Sequence, residues 1–213
     1  MKRRVAVLIS GRGSNMAALL DAARHAAFPA EIVLVVSNRP DAAGLTLAAA
    51  AGVPTAVVDH QPFKGDREAH ERAIDVALRA RGVEMVCLAG YMRLLTPFLV
   101  RAWQGRMLNI HPSLLPAFPG LHTHAHALAA GAKLHGCTVH LVTEAMDEGP
   151  ILAQAAVPVL PGDTEEALAA RVLRQEHVLY PAALAVAAGG VAARFAADEA
   201  VIRNPLPWCA DVK

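Results

Sequence analysis

The chain has 213 residues, 54% of them hydrophobic and 18% charged, with a formal net charge of +1. That length and apolar content support one folded domain with a substantial core and exclude intrinsic disorder. The near-zero charge, with no basic run and no basic patch interleaved with aromatics, removes the case for a nucleic-acid or acidic-membrane partner, so small molecules are the expected ligands.

The opening MKRRVAVLIS has the charge-then-apolar order of a secretory leader, but the apolar run stops at GRGSN with no cleavage site, so it reads as a first strand. A helix follows in NMAALLDAARHAA, a strand in AEIVLVVS, a helix in AGLTLAAAAG and a strand in PTAVVD. DREAHERAIDVALRARG is helical, EMVCLAG a strand, TPFLVRAW a helix and RMLNI a fifth strand. The strands are apolar at consecutive positions, as when helices cover both faces of a sheet. The expected fold is α/β, a single-domain Rossmann-like open sheet, mostly parallel with helices on both faces, with ligands beyond the carboxyl ends of its strands.

After RMLNI the pattern changes to a long loop, a short helix, the strands GCTVHLVTE and ILAQAAVPVL, and a long helix from Asp163. The tail DEAVIRNPLPWCADVK shows neither period and is expected to lie on the surface. No internal repeat or linker divides the chain, and no segment is long enough to span a membrane. Cys87, Cys137 and Cys209 are odd in number, widely spaced and free of any CxxC pair, against a disulfide framework or a structural zinc and in keeping with a reducing cytoplasm.

SGRGSN, residues 10 to 15, lies between the first strand and the first helix, where backbone amides point at whatever occupies the turn. It lacks the third glycine of a dinucleotide fingerprint and the Gly-Lys-Ser/Thr of a P-loop, so a single phosphate is the economical ligand. The bland alternative is that Gly11 and Gly13 make a tight turn and Ser14 or Asn15 caps the helix, and the motif alone does not choose. Arg67, at the start of another helix, can add charge to a phosphate or a carboxylate.

Alternate side chains of a strand share a face, so Asn109 and His111 project together, about 6 to 7 Å apart along the chain, with Ile110 turned away. An amide donor beside an imidazole suits a developing oxyanion, and histidine can also transfer a proton near neutral pH. Asp147 ends another strand in TEAMDEGP, where glycine and proline fix a turn that can present its carboxylate and hold His111 protonated. Strand-end capping and an ordinary turn are the competing readings. His122, His124 and His126 in HTHAH look like a metal cluster, but two-residue spacing on a helix points them apart and no HExxH accompanies them, so no metal is expected. His135, His140 and His177 lie on or beside apolar patterns and read as satisfied structural histidines. In AGYMRLL, Arg93 can meet a carboxylate, while Met92, Leu94 and Leu95 either line an apolar cleft or belong to the core.

Together these motifs resemble the phosphoribosylglycinamide formyltransferase family, the folate-dependent glycinamide ribonucleotide transformylases of purine synthesis. The matching stretches are VLISGRGSN, SNRPDAAGL, DREAHERAI, LAGYMRLL, LNIHPSLLPAFPGLHTHAHAL, HGCTVHLVTEAMDEGPI, PGDTEEALAARV and QEHVLYP, spanning Val5 to Pro181. The resemblance implies a formyltransferase catalytic domain over 1–190, with 191–213 as the surface tail. It implies that Gly13, Ser14 and Asn15 hold the phosphate of glycinamide ribonucleotide, with Glu176 near the ribose. Arg67, Met92, Arg93, Leu94, Leu95, Asn109, Thr143, Glu144, Ala145, Met146 and Asp147 would contact 10-formyltetrahydrofolate, the co-substrate. His70 stands where the family often has an aromatic. Asn109, His111 and Asp147 would be catalytic, with no metal, in a cytoplasmic monomer or homodimer without nucleic-acid or membrane partners. Another folate-dependent formyltransferase or a formyltetrahydrofolate deformylase is the alternative. A methionyl-tRNA formyltransferase is expected to carry a further carboxy-terminal RNA-binding domain, and a deformylase an amino-terminal regulatory one.

Overall fold

The computed structural model describes residues 1–189 and the backbone of 202–205. In chain order the elements are β1 (Arg3–Ile9), α1 (Ser14–Ala23), β2 (Ala30–Ser37), α2 (Ala43–Ala50), β3 (Thr55–Val57), a 3-10 turn (Gln61–Phe63), α3 (Arg67–Ala80), β4 (Met85–Leu88) and α4 (Pro97–Ala102). They continue as β5 (Met107–His111), α5 (Thr123–Ala129), β6 (Leu134–Leu141), β7 (Ile151–Pro158), α6 (Glu165–Ala187) and β8 (Ile202–Pro205). The strands form one sheet in the order β3-β2-β1-β4-β5-β6-β7-β8. The first five are parallel, whereas β6, β7 and β8 each run antiparallel to the strand before them.

β1 shows why the parallel half reads as continuous apolar sequence. Val5 through Ile9 are fully buried. Val5, Val7 and Ile9 face a core built with Met16 and Leu19 of α1, Ala48 of α2, Ala127 of α5 and Leu168, Val172 and Leu179 of α6. Ala6 and Leu8 face the opposite core with Ile74 and Leu78 of α3, Leu99 of α4, and Trp103. Helices thus cover both faces, and each residue from Val5 to Ile9 has an apolar destination.

Caps set the ends of two helices. The Asp66 carboxylate accepts from Ala69 N at 2.9 Å at the start of α3, and the Thr164 hydroxyl from Ala167 N at 3.2 Å at the start of α6. The helical spacing seen through Ala27 stops at Ala23, because Pro29 disfavours helix in the residue before it and Phe28 N turns back to His25 O. The tail differs from the sequence expectation in one segment: Ile202–Pro205 adds β8 to the open edge of β7. The expected surface packing of the rest of the tail lies outside the described residues.

β1 leads to β2 on one side and, after β3, the chain crosses to β4 on the other. The connections therefore diverge beyond the carboxyl ends of β1 and β4, the place where open α/β sheets hold ligands. Tyr180 of α6 pins this region from below, its buried hydroxyl within hydrogen-bond distance of the last carbonyls of β4 (Leu88 O, 3.0 Å) and close to Leu108 O of β5 (3.2 Å). Tyr180→Phe deprives buried carbonyls of a donor and is expected to cost about 1–2 kcal/mol in a urea titration monitored by circular dichroism.

Candidate active site

Two clusters of polar side chains lie at the carboxyl-end side of the parallel strands. The first lies at the amino end of α1. Gly13 takes the N-cap position with φ 76° and no side-chain cap bond, so the reading of Ser14 or Asn15 as the cap does not hold. The glycine is required twice over: a Cβ there would stand 2.9 Å from the Gly44 Cα of α2, and the backbone is left-handed. Asn15 Nδ2 donates to Glu176 Oε2 at 2.6 Å, which ties α1 to α6, while Asn15 Oδ1 has no protein hydrogen-bond partner. Burial pushes the Glu176 carboxyl above its ordinary range, partly offset by the Asn15 bond.

The second cluster sits at the end of β5. Its register against β6 sets Asn109 opposite His140 and His111 opposite Thr138. Asp147 lies between the histidines, with Oδ2 3.5 Å from His111 Nδ1 and Oδ1 3.8 Å from His140 Nε2, and all three side chains are buried. Asn109 Nδ2 is 3.2 Å from His140 Nε2. The Asp147 backbone is left-handed, φ 59°, and Gly120 N donates to its Oδ2 at 2.9 Å. Gly149 permits this turn, since a Cβ there would fall 1.7 Å from Leu141 O. His111 Nε2 donates to Phe118 O at 3.1 Å, so one loop holds both the imidazole and its carboxylate.

That loop is anchored from β6. Thr138 Oγ1 donates to Ser113 O at 2.7 Å and accepts from Leu115 N and Gln154 Nε2, both at 3.0 Å. Thr123 Oγ1 donates to Pro112 O at 2.6 Å, and the Leu115–Pro116 peptide is cis.

The structure thus sets Asn109 and His111 on one strand as their spacing predicts, brings Asp147 beside His111 where spacing alone left an ordinary turn as the competing reading, and places His140, expected to be structural, against Asn109. Its signal was the alternation that puts Thr138 and His140 on one face, but only the β5–β6 register reveals what they face. His135 and His177 are not the satisfied histidines expected: Nδ1 of His135 and Nε2 of His177 lack protein partners, and burial pushes His135 down to about 4. His135 Nε2 lies 3.1 Å from His124 Nδ1. Among the described residues no group of His, Cys, Asp or Glu is arranged to hold a metal ion, and no helix is long and apolar enough to cross a membrane.

The segment from Met92 to Leu95 follows β4 directly. Met92 and Leu94 are exposed, as is Met146 just before Asp147. Ser10 steadies this segment, its hydroxyl donating to Asn38 Oδ1 at 2.6 Å and accepting from Met92 N at 2.8 Å. At the segment's far end, buried Glu71 accepts hydrogen bonds from the Thr96 amide and hydroxyl. Burial raises the Glu71 carboxyl, and Arg67 is among the groups that oppose the rise, so Arg67 acts electrostatically on this anchor. Arg93 lies near enough to Tyr91 and His70 to act on both. Thr143 Oγ1 donates to Ala145 O at 3.1 Å, and Glu144 pairs with Arg101 at 2.6 Å.

A family model described as formyl transferase matches residues 3–184. The phosphoribosylglycinamide formyltransferase of Escherichia coli K12 is 45% identical over 186 residues, 87% of either chain. The chain belongs to the phosphoribosylglycinamide formyltransferase family. Among solved structures, the phosphoribosylglycinamide formyltransferase of Brucella melitensis is 60% identical with a TM-score of 0.85, covering 90% of this chain and 98% of that one. Glycinamide ribonucleotide transformylase 1 of Symbiobacterium toebii is 49% identical with a TM-score of 0.86, covering 88% of each. The chain is also 50% identical over 193 residues to the trifunctional purine biosynthetic protein adenosine-3 of Drosophila melanogaster, but spans only 14% of its length.

The raised Glu176 carboxyl has a consequence for stability. A carboxyl whose folded pKa lies above its unfolded value binds its proton more tightly when folded, so its contribution is fully present below the unfolded pKa and is lost as pH rises through the folded one. Glu176→Gln keeps an acceptor for Asn15 without the buried charge. It is expected to raise the melting temperature at neutral pH and to leave it unchanged below the ordinary glutamate range; scanning calorimetry at the two pH values checks this.

Proposed function

We propose that this protein transfers the formyl group of 10-formyltetrahydrofolate to the amine of 5-phosphoribosylglycinamide, giving the N-formyl product and tetrahydrofolate in purine synthesis. The observation that carries this reading is the convergence of Asn109, His111 and Asp147 at the carboxyl end of β5, the same end of the parallel strands at which β1 gives way to the glycine turn before α1. A phosphate suits the α1 amides around Gly13, Ser14 and Asn15. Glu176 and the unpartnered Asn15 Oδ1 are acceptors suited to ribose hydroxyls. The exposed Met92, Leu94 and Met146 offer apolar contact to a flat pteridine between the 92–95 segment and the 143–147 turn, with Arg67 and Arg93 supplying positive charge toward an acidic folate.

The substrate amine attacks the formyl carbon, its lone pair forming the new C–N bond as the carbonyl π electrons move onto oxygen. The tetrahedral oxyanion is stabilised by the Asn109 amide and by His111. His111 Nε2 faces Phe118 O and its Nδ1 faces Asp147 Oδ2 at 3.5 Å, so the carboxylate orients the ring and sets a compensating negative charge beside it. The intermediate collapses by expelling the folate nitrogen, which takes up the proton lost by the amine, directly or through water.

Since the three residues come from one chain, turnover does not require a second copy, and a monomer or homodimer serves equally. Buried free thiols at Cys87 and Cys137 suit a cytoplasmic setting.

The test is a steady-state assay of tetrahydrofolate release. Release that depends on 5-phosphoribosylglycinamide is expected; release without the amine would make the protein a deformylase. His111→Ala and Asp147→Ala are each expected to lower kcat by roughly 10²- to 10⁴-fold while inorganic phosphate binding, read by calorimetry, stays close to that of the unaltered protein. Undiminished turnover in either variant would remove the trio from the mechanism.

A further inference from the structure

Asn109 can stabilise an oxyanion only if its amide nitrogen, not its oxygen, faces the reacting centre, and a carboxamide has two orientations of nearly equal shape. We infer that His140 is a positioning residue for the reaction: as a neutral ring with a bare Nε2, it holds the Asn109 carboxamide nitrogen-first toward the site. The inference rests on the role proposed above for Asn109.

Three contacts carry it. His140 Nδ1 lies 3.0 Å from the carbonyl of Leu141. A carbonyl only accepts, so Nδ1 carries a proton. His140 is 2% exposed, and burial pushes its imidazole below the ordinary range, with the Leu141 carbonyl and the Asp147 carboxylate only partly offsetting that effect and His111 reinforcing it. One proton on the ring therefore leaves Nε2 an acceptor. Asn109 Nδ2, 3.2 Å away, supplies the donor, while the reversed amide would set Oδ1 against a lone pair. The amide has two hydrogens, so satisfying Nε2 leaves the second for the oxyanion.

The same tautomer protects the neighbouring pair. Asp147 Oδ1 is 3.8 Å from His140 Nε2, and a protonated Nε2 would compete with His111 for the carboxylate. A neutral His140 leaves Asp147 to His111. The β5–β6 pairing makes this reproducible, since it sets Asn109 and His140 directly opposite one another on adjacent strands.

The experiment is a double-mutant cycle, with kcat and both KM values measured for His140→Leu and His140→Gln in the otherwise unaltered chain and in Asn109→Ala. His140→Leu is expected to lower kcat roughly tenfold to a hundredfold with little change in KM. His140→Gln, whose side-chain oxygen reaches where Nε2 stands, restores most of it. In the Asn109→Ala background His140→Leu has almost no further effect, because the amide it positions is gone. Long-range ¹H–¹⁵N correlation of the His140 ring in the unaltered chain is expected to show Nδ1 protonated and Nε2 bare, a readout independent of whether any variant folds. Equal losses in both backgrounds, a loss carried by KM, or a proton on Nε2 would overturn the role of His140. Undiminished turnover in Asn109→Ala alone would instead overturn the assignment of the site.

Discussion

β6 enters the sheet antiparallel to β5, and from that pairing the arrangement of the site follows. An antiparallel neighbour sets residues directly opposite in pairs, so the two functional positions of β5 each acquire a fixed partner: Asn109 meets His140, and His111 meets Thr138. The reversal also carries the chain from β6 into the tight turn that returns Asp147 to the end of β5. A one-residue slip of this register would turn His140 and Thr138 to the other face and leave Asn109 without its neighbour.

This arrangement concentrates polar groups where the surrounding sheet is apolar. A buried imidazole or carboxylate is expensive unless its hydrogen-bonding atoms are met. Here His111 has Phe118 O and Asp147, Asp147 has the Gly120 amide, and His140 has Leu141 O and Asn109. Much of the loop from 112 to 123 is spent on this purpose, its backbone carbonyls and amides tied down by Thr138, Thr123 and Gln154. Such a network adds little net stability compared with an apolar core of the same volume, but it permits one geometry and few others.

The two surfaces proposed to take the two substrates differ in kind. On one side backbone amides at a helix N-terminus present partial positive charge without any side chain that must be ordered. On the other, exposed apolar side chains after β4 and before Asp147 offer contact without directionality. The Ser10 hydroxyl joins the two, since it ends β1 just before the glycine turn and also receives the Met92 amide. Tyr180 braces the strands between them from beneath.

Much of this was legible in the chain itself. Consecutive apolar runs separated by helical spacing determined a covered, mostly parallel sheet, because each side chain from Val5 to Ile9 must find an apolar partner on one face or the other. The period of two in LNIH put Asn109 and His111 on one face, and SGRGSN marked a glycine turn between strand and helix. Tertiary structure alone decided the rest. That Asn109 meets His140, that Glu144 pairs with Arg101, that Glu176 reaches Asn15, and that a segment of the tail pairs with β7 all depend on contacts between residues far apart in sequence. Local pattern encodes which face a side chain takes, whereas the partner on that face is set by strand register and helix packing, which no single stretch of sequence contains.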